Sequence, residues 1–420
     1  MVSIEKKVVT TILSMIRARR EVTSLPESDV SARHPVVRSS VRLREAQMSD
    51  FPAVAALKKR WGLAADSLPN WQRLWCRNPA LAQMEFRPPI GWVLEAEGTP
   101  VGYLGNIPLL YRYGDRALTA VTGSSFVVES PYRAVSLSLI AAFYRQKPVD
   151  LYLTTTAIEA VGKIARQFKS DPLPQPDYDT MLFWVLQPYQ FAQVVMKKLE
   201  LAPVLSQMGS ILTFLAVGAD GIVHRRWPKA SSNGFTMKEI GVHEIGDDFQ
   251  ALWAEKLKES PRLLADRSPA ALRWHFDIPG DKGIARVICC YKNGELFGYA
   301  VIRSEPANEA NGLRRSIVAD MLARQDSPEI LGALWAAAYD YAKHAGSHIL
   351  EVLGFPHSVR GICSKWHPYL RKYPSCPFYY KAADPALHKM LSDGNAWYAS
   401  AFDGDTTLWN FGTASQRAEA

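Results

Sequence analysis

A hairpin pattern that occurs twice, 196 residues apart, limits how this chain can fold more than any other feature. The stretch GWVLEAEGTPVGYLG carries Gly98 and Gly102, and RVICCYKNGELFGYAVI carries Gly294 and Gly298 at matching places. In both stretches alternating apolar residues flank a glycine-containing turn, which predicts a β-hairpin. Two copies are too few for a solenoid, so the repeat indicates a pair of related modules.

The elements around the two hairpins follow the same order. Each copy is predicted to begin with a strand and helices, to pass through the hairpin into a long strand, and then to alternate helix and strand. YDTMLFWVL is expected to close the first unit, while SHILEVL, CPFYYKAA and AWYASAFDG are the late strands of the second. The predicted fold class is therefore α/β (mixed α+β), with each module a mixed, mostly antiparallel sheet flanked by helices.

The repeat also predicts domain boundaries. Residues 1–40 are expected to form a basic amphipathic arm and linker, 41–187 the first module, and 188–234 a helical connector. Residues 235–410 are the second, degenerate module, and 411–420 are a tail.

Composition places the chain among globular proteins, since 48% of its residues are hydrophobic and 21% are charged. Its five cysteines form no regular framework and no CxxC pair, which favours a reducing, cytoplasmic compartment. No CxxC or HExxH pattern accompanies the histidines, so no metal site is predicted. No apolar run approaches the roughly 18 residues of a membrane span.

The formal net charge of +8 is concentrated at the N-terminus, where residues 1–44 carry nine Lys and Arg against four Asp and Glu. No basic patch interleaved with aromatic residues occurs in the body of the chain, so nucleic acid is not an expected partner. Residues 1–20 fit an amphipathic helix with two interpretations. The segment docks on the protein itself or is a frayed terminus, or else it contacts an anionic membrane peripherally, at the inner membrane.

The stretch SSFVVESPYRAVSLSLIAAFYRQ, residues 124–146, predicts a strand that stops at Ser130-Pro131 and continues as a helix. Ser130 and Pro131 suit the first positions of a helix. The first amides of a helix lack partners within it, and the helix dipole favours negative charge, so this turn is a candidate anion site. An ordinary capped helix is the alternative.

This order of elements resembles the GCN5-related N-acetyltransferases, whose fourth strand ends at a turn of the form Arg-x-x-Gly-x-Gly/Ala that holds the coenzyme A pyrophosphate. PYRAVSLSL occupies that place and keeps the arginine, but it has Ser136 and Ser138 where the family has small glycines. The resemblance implies acetyl-CoA or a longer acyl-CoA as cofactor. The implied binding residues are Phe126, Val127, Val128, Arg133, Ala134, Val135, Ser136, Leu137 and Ser138.

The resemblance also suggests where catalytic groups lie. Val127 or Val128 would offer a backbone N–H to the oxyanion, and Glu129 at the strand end is the candidate base. The family's Asn and Tyr on the helix after strand five correspond here to Ile158 and Ala165, so neither side chain is present. Tyr132, Tyr144 and Tyr152 are the phenols nearest the site, and Tyr132 and Tyr152 are the predicted catalytic ones.

Tandem modules with one degenerate half resemble double-domain acyltransferases of bacterial envelope and polysaccharide loci, and more distantly the Fem-type aminoacyl transferases. The expected function is acyl-CoA-dependent N-acyl transfer to an amine, on a small molecule or saccharide such as an amino sugar or an amino acid. Two alternatives stay open: a Fem-like aminoacyl transferase, and a non-catalytic binding protein with this fold.

Overall fold

The architecture is that of a computed structural model, which describes most of the chain from residue 40 to residue 408. The described ranges are 40–63, 66–156, 159–198, 211, 214–215, 217–224, 226–229, 234–280, 284–308, 311–372 and 378–408. The predicted N-terminal arm and C-terminal tail lie outside the described residues.

The first sheet is mixed and has eight strands. Seven follow one another in the order β1, β2, β3, β4, β5, β15, β6. The eighth, β9, pairs with the end of β3 that extends beyond β2. The strands of this sheet are β1 Arg42–Glu45, β2 Gly91–Ala96, β3 Thr99–Tyr113, β4 Arg116–Val128, β5 Leu151–Thr154, β6 Asp171–Pro172, β9 Leu263–Ala265 and β15 Tyr379–Ala382.

The second sheet repeats this plan with seven strands, in the order β14, β7, β13, β12, β11, β10, β8. Its strands are β7 Thr180–Val185, β8 Thr236–Gly241, β10 Ile284–Lys292, β11 Glu295–Ser304, β12 Arg315–Ala323, β13 Ile349–Val352 and β14 Tyr369–Lys372. In each sheet the one parallel pair is at the same place, β4 with β5 and β12 with β13. The predicted mixed, mostly antiparallel sheets are confirmed.

Helices flank both sheets, and residues 217–223 are helical as well. The numbered α-helices are α1 Phe51–Arg60, α2 Leu68–Cys76, α3 Leu137–Arg145, α4 Glu159–Gln167, α5 Pro188–Lys198, α6 Asp247–Leu257, α7 Pro269–Phe276, α8 Pro328–His344, α9 His357–Ser364 and α10 Pro385–Met390. Short 3-10 helices lie at Met48–Asp50, Pro79–Gln83, Ser130–Val135, Val242–Glu244, Arg324–Asp326 and Gly394–Ala396.

The two hairpins that define the repeat have the same turn. Glu97 and Gly98 take φ angles of 51° and 74°, and Asn293 and Gly294 take 51° and 82°. Two left-handed residues in a two-residue loop are the type I′ turn, whose twist matches that of the flanking strands. Both predicted hairpins are confirmed.

The two halves of the chain exchange strands. The stretch YDTMLFWVL was expected to close the first unit, but its strand β7 pairs with β13 and β14 of the second sheet. In return β15, from CPFYYKAA, pairs with β5 and β6 of the first sheet. The expectation that 180–185 completes the first sheet is therefore wrong, because a strand's apolar pattern does not determine which sheet it joins.

A further late strand, predicted at AWYASAFDG, is absent from the described fold. Trp397 and Ser400 make only isolated bridges, to Leu263 and Gly354 respectively. The segment runs between the modules instead of along one strand, and Tyr398, Ala399, Ser400 and Phe402 in it are all fully buried. Its residues are apolar because the segment is buried, although it is not a strand of either sheet.

One hydrophobic core spans both modules, joining residues such as Trp71 and Leu118 of the first half with Leu334 and Phe355 of the second. A smaller core lies between α3 and the first sheet, where Phe143 packs near Trp92. A shared core and exchanged strands make the two modules one cooperative unit.

We therefore expect the full chain to unfold in a single transition, with a calorimetric enthalpy equal to the van't Hoff enthalpy. Fragments 1–229 and 230–420, made separately, should each lack the near-ultraviolet circular dichroism of a packed core, and mixing them should restore it. Two resolved calorimetric transitions, or a half that folds alone, would contradict the exchange.

Candidate functional site

The candidate site is a gap between two parallel strands of the first sheet. β4 and β5 pair only where residues 120–122 face residues 151–153. β4 then continues to Val128, whereas β5 ends at Thr154. Among the described residues no strand pairs with this edge of β4 beyond Thr122. Alternate backbone N–H and C=O groups there are left without a ladder partner.

A β-bulge in β4 accounts for the separation of the strands. The pairing of β3 with β4 shifts register between Tyr103 and Gly105, and Ser125 takes a left-handed φ of 57°. Glycine is needed opposite, because a Cβ at Gly105 would lie 3.1 Å from the carbonyl oxygen of Ser124. A bulge bends its strand and increases the local twist, which turns the end of β4 away from the plane that β5 follows.

Three hydroxyls on β4, at its last residue paired with β5 and just beyond it, are buried and unbonded. Thr122 Oγ1, Ser124 Oγ and Ser125 Oγ find no hydrogen-bond partner among the described residues. Buried polar atoms in folded proteins are nearly always bonded, and each one left unpaired costs about 1–3 kcal/mol.

The predicted binding residues on β4 are mainly packed. Val127 belongs to the main core and Val128 to the smaller one, while Phe126 is half-buried against the smaller core. Their side chains are therefore structural, and only their backbone is open to a ligand.

The turn after β4 differs from the predicted helix at Ser130. Residues Ser130–Val135 form a 3-10 helix, and the α-helix starts only at Leu137. The hydroxyls of Ser136 and Ser138 donate to the carbonyl oxygens of Arg133 and Val135, each at 2.7 Å. A 3-10 helix bonds each amide to the carbonyl three residues before it, so part of the turn's donor capacity is used internally.

The surface of this turn combines one guanidinium with several exposed apolar side chains. Arg133 is exposed and lies over the ring of Trp61, 5.3 Å from its centroid. Ala134, Val135 and Leu137 are also exposed. The stacking on Trp61 holds Arg133 at the mouth of the gap with its charge in solvent.

The candidate base is already ion-paired. Glu129 Oε1 accepts from Arg60 Nη2 at 2.6 Å, which ties the end of β4 to α1. Tyr132, in the next turn, is half-buried against the smaller core. The structure therefore brings Glu129, Tyr132 and Arg133 together at one end of the gap.

Tyr152 lies elsewhere. It faces Val121 in the paired part of the strands, is only 4% exposed, and donates its hydroxyl proton to Gln146 O at 2.6 Å. Burial raises the pKa of Tyr152 to about 12. Tyr144 is similarly buried and accepts from Ser170 Oγ at 2.8 Å. Both phenols stabilise the packing of α3 on the sheet.

Residues from the far end of the chain border the gap on the β5 side, which sequence reasoning missed. Asp405 Oδ1 accepts from Thr155 Oγ1 at 2.8 Å and from Thr156 Oγ1 at 3.0 Å. Gly404 has a φ of 69°, and a Cβ there would lie 2.3 Å from the Thr155 side chain. The only sequence signal was a glycine between two aspartates in Asp403-Gly404-Asp405, within a stretch expected to be a late strand.

A buried ionic network joins the two modules behind the gap. Asp403 accepts from Tyr111 Oη of β3 at 3.0 Å and lies 3.9 Å from Arg267. Arg267 in turn binds Asp320 of β12, which also accepts from Tyr299 Oη at 2.8 Å. Burial raises the pKa of Asp403 to about 6, although Arg267 opposes this shift.

The corresponding gap in the second sheet is filled by the chain itself. β12 and β13 also pair over only four residues, 315–318 with 349–352. Beyond them Phe355 N donates to Ala399 O at 2.7 Å, and Tyr398 Oη donates to Met321 O at 2.7 Å. Residues 398–400 therefore occupy the space that is open in the first module.

The turn after β12 is occupied by a carboxylate. Asp326 accepts from Lys256 Nζ at 2.6 Å, from Arg262 Nη1 at 2.8 Å and from Ser358 Oγ at 2.9 Å. Burial alone would raise the pKa of Asp326, but these two cations hold it below its usual range. The first module, whose gap and turn hold no such internal group among the described residues, is the candidate site.

In the described part of the chain, no group of three or more His, Cys, Asp or Glu side chains is arranged to hold a metal ion. None of the helices in those residues combines the length and apolar character needed to cross a bilayer.

Comparison with known proteins identifies the fold. No protein-family model matches the chain, and no curated protein sequence matches it. Among solved structures, the chain is similar to a GCN5-related N-acetyltransferase from Anabaena variabilis, with a TM-score of 0.53 and 8% identity over 82% of this chain and 73% of that one.

Two further structures agree. A probable N-acyltransferase from Enterococcus faecalis has a TM-score of 0.53 at 8% identity, covering 82% of this chain and 72% of its own. A GCN5-related N-acetyltransferase from Kribbella flavida has a TM-score of 0.50 at 11% identity, covering 82% and 71%. The chain thus has the fold of the GCN5-related N-acetyltransferases in tandem, which confirms the resemblance at the level of fold. The Fem-type link stays a prediction.

Gly404→Ala should destabilise the protein more than Gly294→Ala. Both glycines have left-handed φ angles, 69° and 82°, but only at position 404 would the added Cβ meet a side chain. The backbone strain of about 1 kcal/mol is common to both variants, so the excess at 404 reports the contact with Thr155. Urea unfolding measures the difference, and equal losses would contradict the packing of the C-terminal segment on β5.

Asp403→Asn should change how stability depends on pH. The pKa of Asp403 is higher in the folded state than in the unfolded state. The free energy of unfolding is therefore lowered by ionised Asp403 above pH 6, and it increases as the pH falls towards 4 and the carboxyl takes up its proton. The free energy of unfolding of the wild type, minus that of the variant, should therefore rise between pH 7 and pH 4.5, by roughly 1–3 kcal/mol. A difference that stays constant over this range would contradict a raised pKa for the buried carboxyl of Asp403.

Proposed function

We propose that the chain is an acyltransferase that takes an acyl group from a coenzyme A thioester and transfers it to an amine. The observation that carries the proposal is the open edge of β4 over residues 123–128, next to the bulge at Ser125. The fold, which this chain shares with N-acetyltransferases of known structure, supports the same conclusion.

The residues present fit such a cofactor. The free N–H and C=O groups of β4 suit an amide-containing pantetheine arm. Arg133 at the mouth of the gap suits a phosphate. A bound acyl-CoA supplies the activated carbonyl carbon, and everything else must come from the chain.

The chain's own contribution is positioning and stabilisation of charge. A backbone N–H of Val127 or Val128 would donate to the oxyanion that develops at the carbonyl, at no cost in reorganisation. Held next to the carbonyl, a neutral amine needs little further activation, since correct orientation lowers much of the barrier. The buried sides of β4 keep these donors fixed.

Proton transfer falls to the end of the gap where Glu129 and Tyr132 lie. Glu129 would take the proton from the amine on Oε1, the same oxygen that accepts a hydrogen bond from Arg60. Tyr132 is our candidate for protonating the thiolate. Tyr152 is not, because its hydroxyl is bonded to Gln146 O in the closed part of the sheet.

The acceptor class we propose is the amine of an amino sugar or amino acid, and acetyl-CoA or a longer acyl-CoA is the donor. A Fem-like transfer, in which coenzyme A is not the donor, is the alternative that the internally bonded turn favours. Binding of acyl-CoA separates the two.

Calorimetric titration with acetyl-CoA and with longer acyl-CoAs should show one site per chain, because the second gap is filled by residues 398–400. Arg133→Ala should weaken binding about tenfold through loss of a phosphate partner. Arg145→Ala, at the exposed opposite end of α3, removes the same charge and should have no effect. Absence of binding at millimolar acyl-CoA, or two sites per chain, would contradict the proposal.

A further inference from the structure

A cleft of about 570 Å³ lies between the two modules, away from the gap. Its walls come from the closed end of the β3–β4 hairpin, from the residues before β5, from α6 of the second half and from the loop after β9. The volume is in the range of sites that enclose a small molecule.

The cleft is too far from the bulge to be the place where acyl transfer occurs. Thr119 lines the cleft, and the bulge is at Ser125 on the same strand. At about 3.3 Å per residue, six residues of strand separate them by about 20 Å. An amine held in the cleft could not reach a carbonyl held at the bulge, so a ligand of the cleft would be distinct from the acyl acceptor.

Two carboxylates line the inner part of the cleft. Asp266 accepts from Ser268 N at 2.9 Å and from Ser268 Oγ at 3.0 Å, which fixes its orientation. Asp150 Oδ2 accepts from both Thr119 N and Thr119 Oγ1 at 2.8 Å. Its other oxygen accepts from no group of the described residues, and Glu85 adds a third carboxylate at the rim.

One guanidinium faces these carboxylates and is incompletely bonded. Arg112 lines the cleft and donates from Nη2 to Asp115 O at 3.3 Å. Its Nε is buried and has no hydrogen-bond partner among the described residues. Nη1 of the same guanidinium also donates to no group of the described residues, and as a planar charged donor the guanidinium suits a ligand carboxylate.

Apolar side chains form a second part of the cleft wall, beside the polar Gln83 and Gln250. Trp253 is buried and Leu257 and Phe86 are half-buried along the cleft. A ligand that fits must therefore offer an ammonium to Asp150 or Asp266, a carboxylate to Arg112, and an apolar group to these side chains. A simple anion is disfavoured by the carboxylates, and a simple amine leaves the guanidinium of Arg112 without a counter-charge from the ligand.

We propose that the cleft between the modules binds one zwitterionic α-amino acid with an apolar side chain, at a site separate from the acyl-transfer gap. Because both modules line the cleft, the bound amino acid would link them and raise the stability of the assembled chain. This site goes beyond the proposed function and does not depend on it.

The test is calorimetric titration of the full chain with L-phenylalanine, and with two analogues that each lack one charge, phenethylamine and 3-phenylpropionate. One molecule of phenylalanine should bind per chain, and each analogue should bind at least tenfold more weakly. Saturating acetyl-CoA should leave the affinity unchanged. No binding at 10 mM, equal affinity for an analogue, or displacement by acetyl-CoA would overturn the proposal.

Variants locate the site. Arg112→Gln and Asp266→Asn should each weaken binding of phenylalanine at least tenfold, whereas Arg116→Gln, on the same hairpin outside the cleft, should not. If the buried variants fail to fold, Ala254→Arg on the exposed surface of α6 should block the cleft, and Ala251→Arg on the same helix should not. Undiminished binding in Ala254→Arg would place the ligand elsewhere and refute the assignment.

Discussion

The reciprocal exchange of β7 and β15 is the constraint on which the rest of the structure depends. Each strand enters the other half's sheet between a parallel strand and a short edge strand. Backbone hydrogen bonds within a sheet cannot be given up without exposing a row of unpaired groups. Neither half of the chain therefore contains all the strands of its own sheet. The sequence repeat shows that the two modules are related, but its boundary does not separate them in the structure.

The exchange also decides which gap is open. The segment that follows β15 contacts both modules in turn. On the way, residues 398–400 enter the gap of the second sheet beside Gly354, and Asp405 then binds Thr155 and Thr156 at the end of β5. One segment thus fills the second gap and only borders the first, so a single connection makes the two copies of one fold unequal.

Local pattern predicted what depends on local chemistry. The alternation of apolar residues and the turn pairs Glu97-Gly98 and Asn293-Gly294 predicted the hairpins correctly, because a type I′ turn needs two left-handed residues. The pattern could not assign partners. A strand of period two fits any sheet that covers its apolar face, which is why β7 was placed in the wrong sheet. The contact of Asp405 with Thr155 joins residues 250 positions apart and has no local signature.

The serines of the cofactor turn show why residue type alone was insufficient there. Where the family has glycines, Ser136 and Ser138 donate back to the carbonyls three residues before them, and the turn just before them is a 3-10 helix. That conformation uses amides which an open cradle would offer to a pyrophosphate. Under the proposed function, affinity for an acyl-CoA would then come chiefly from the backbone of β4, whose open edge is fixed by the bulge at Ser125, and from Arg133 on Trp61. Binding would consequently depend more on the pantetheine arm and less on the phosphates than in a glycine-rich relative of the same fold.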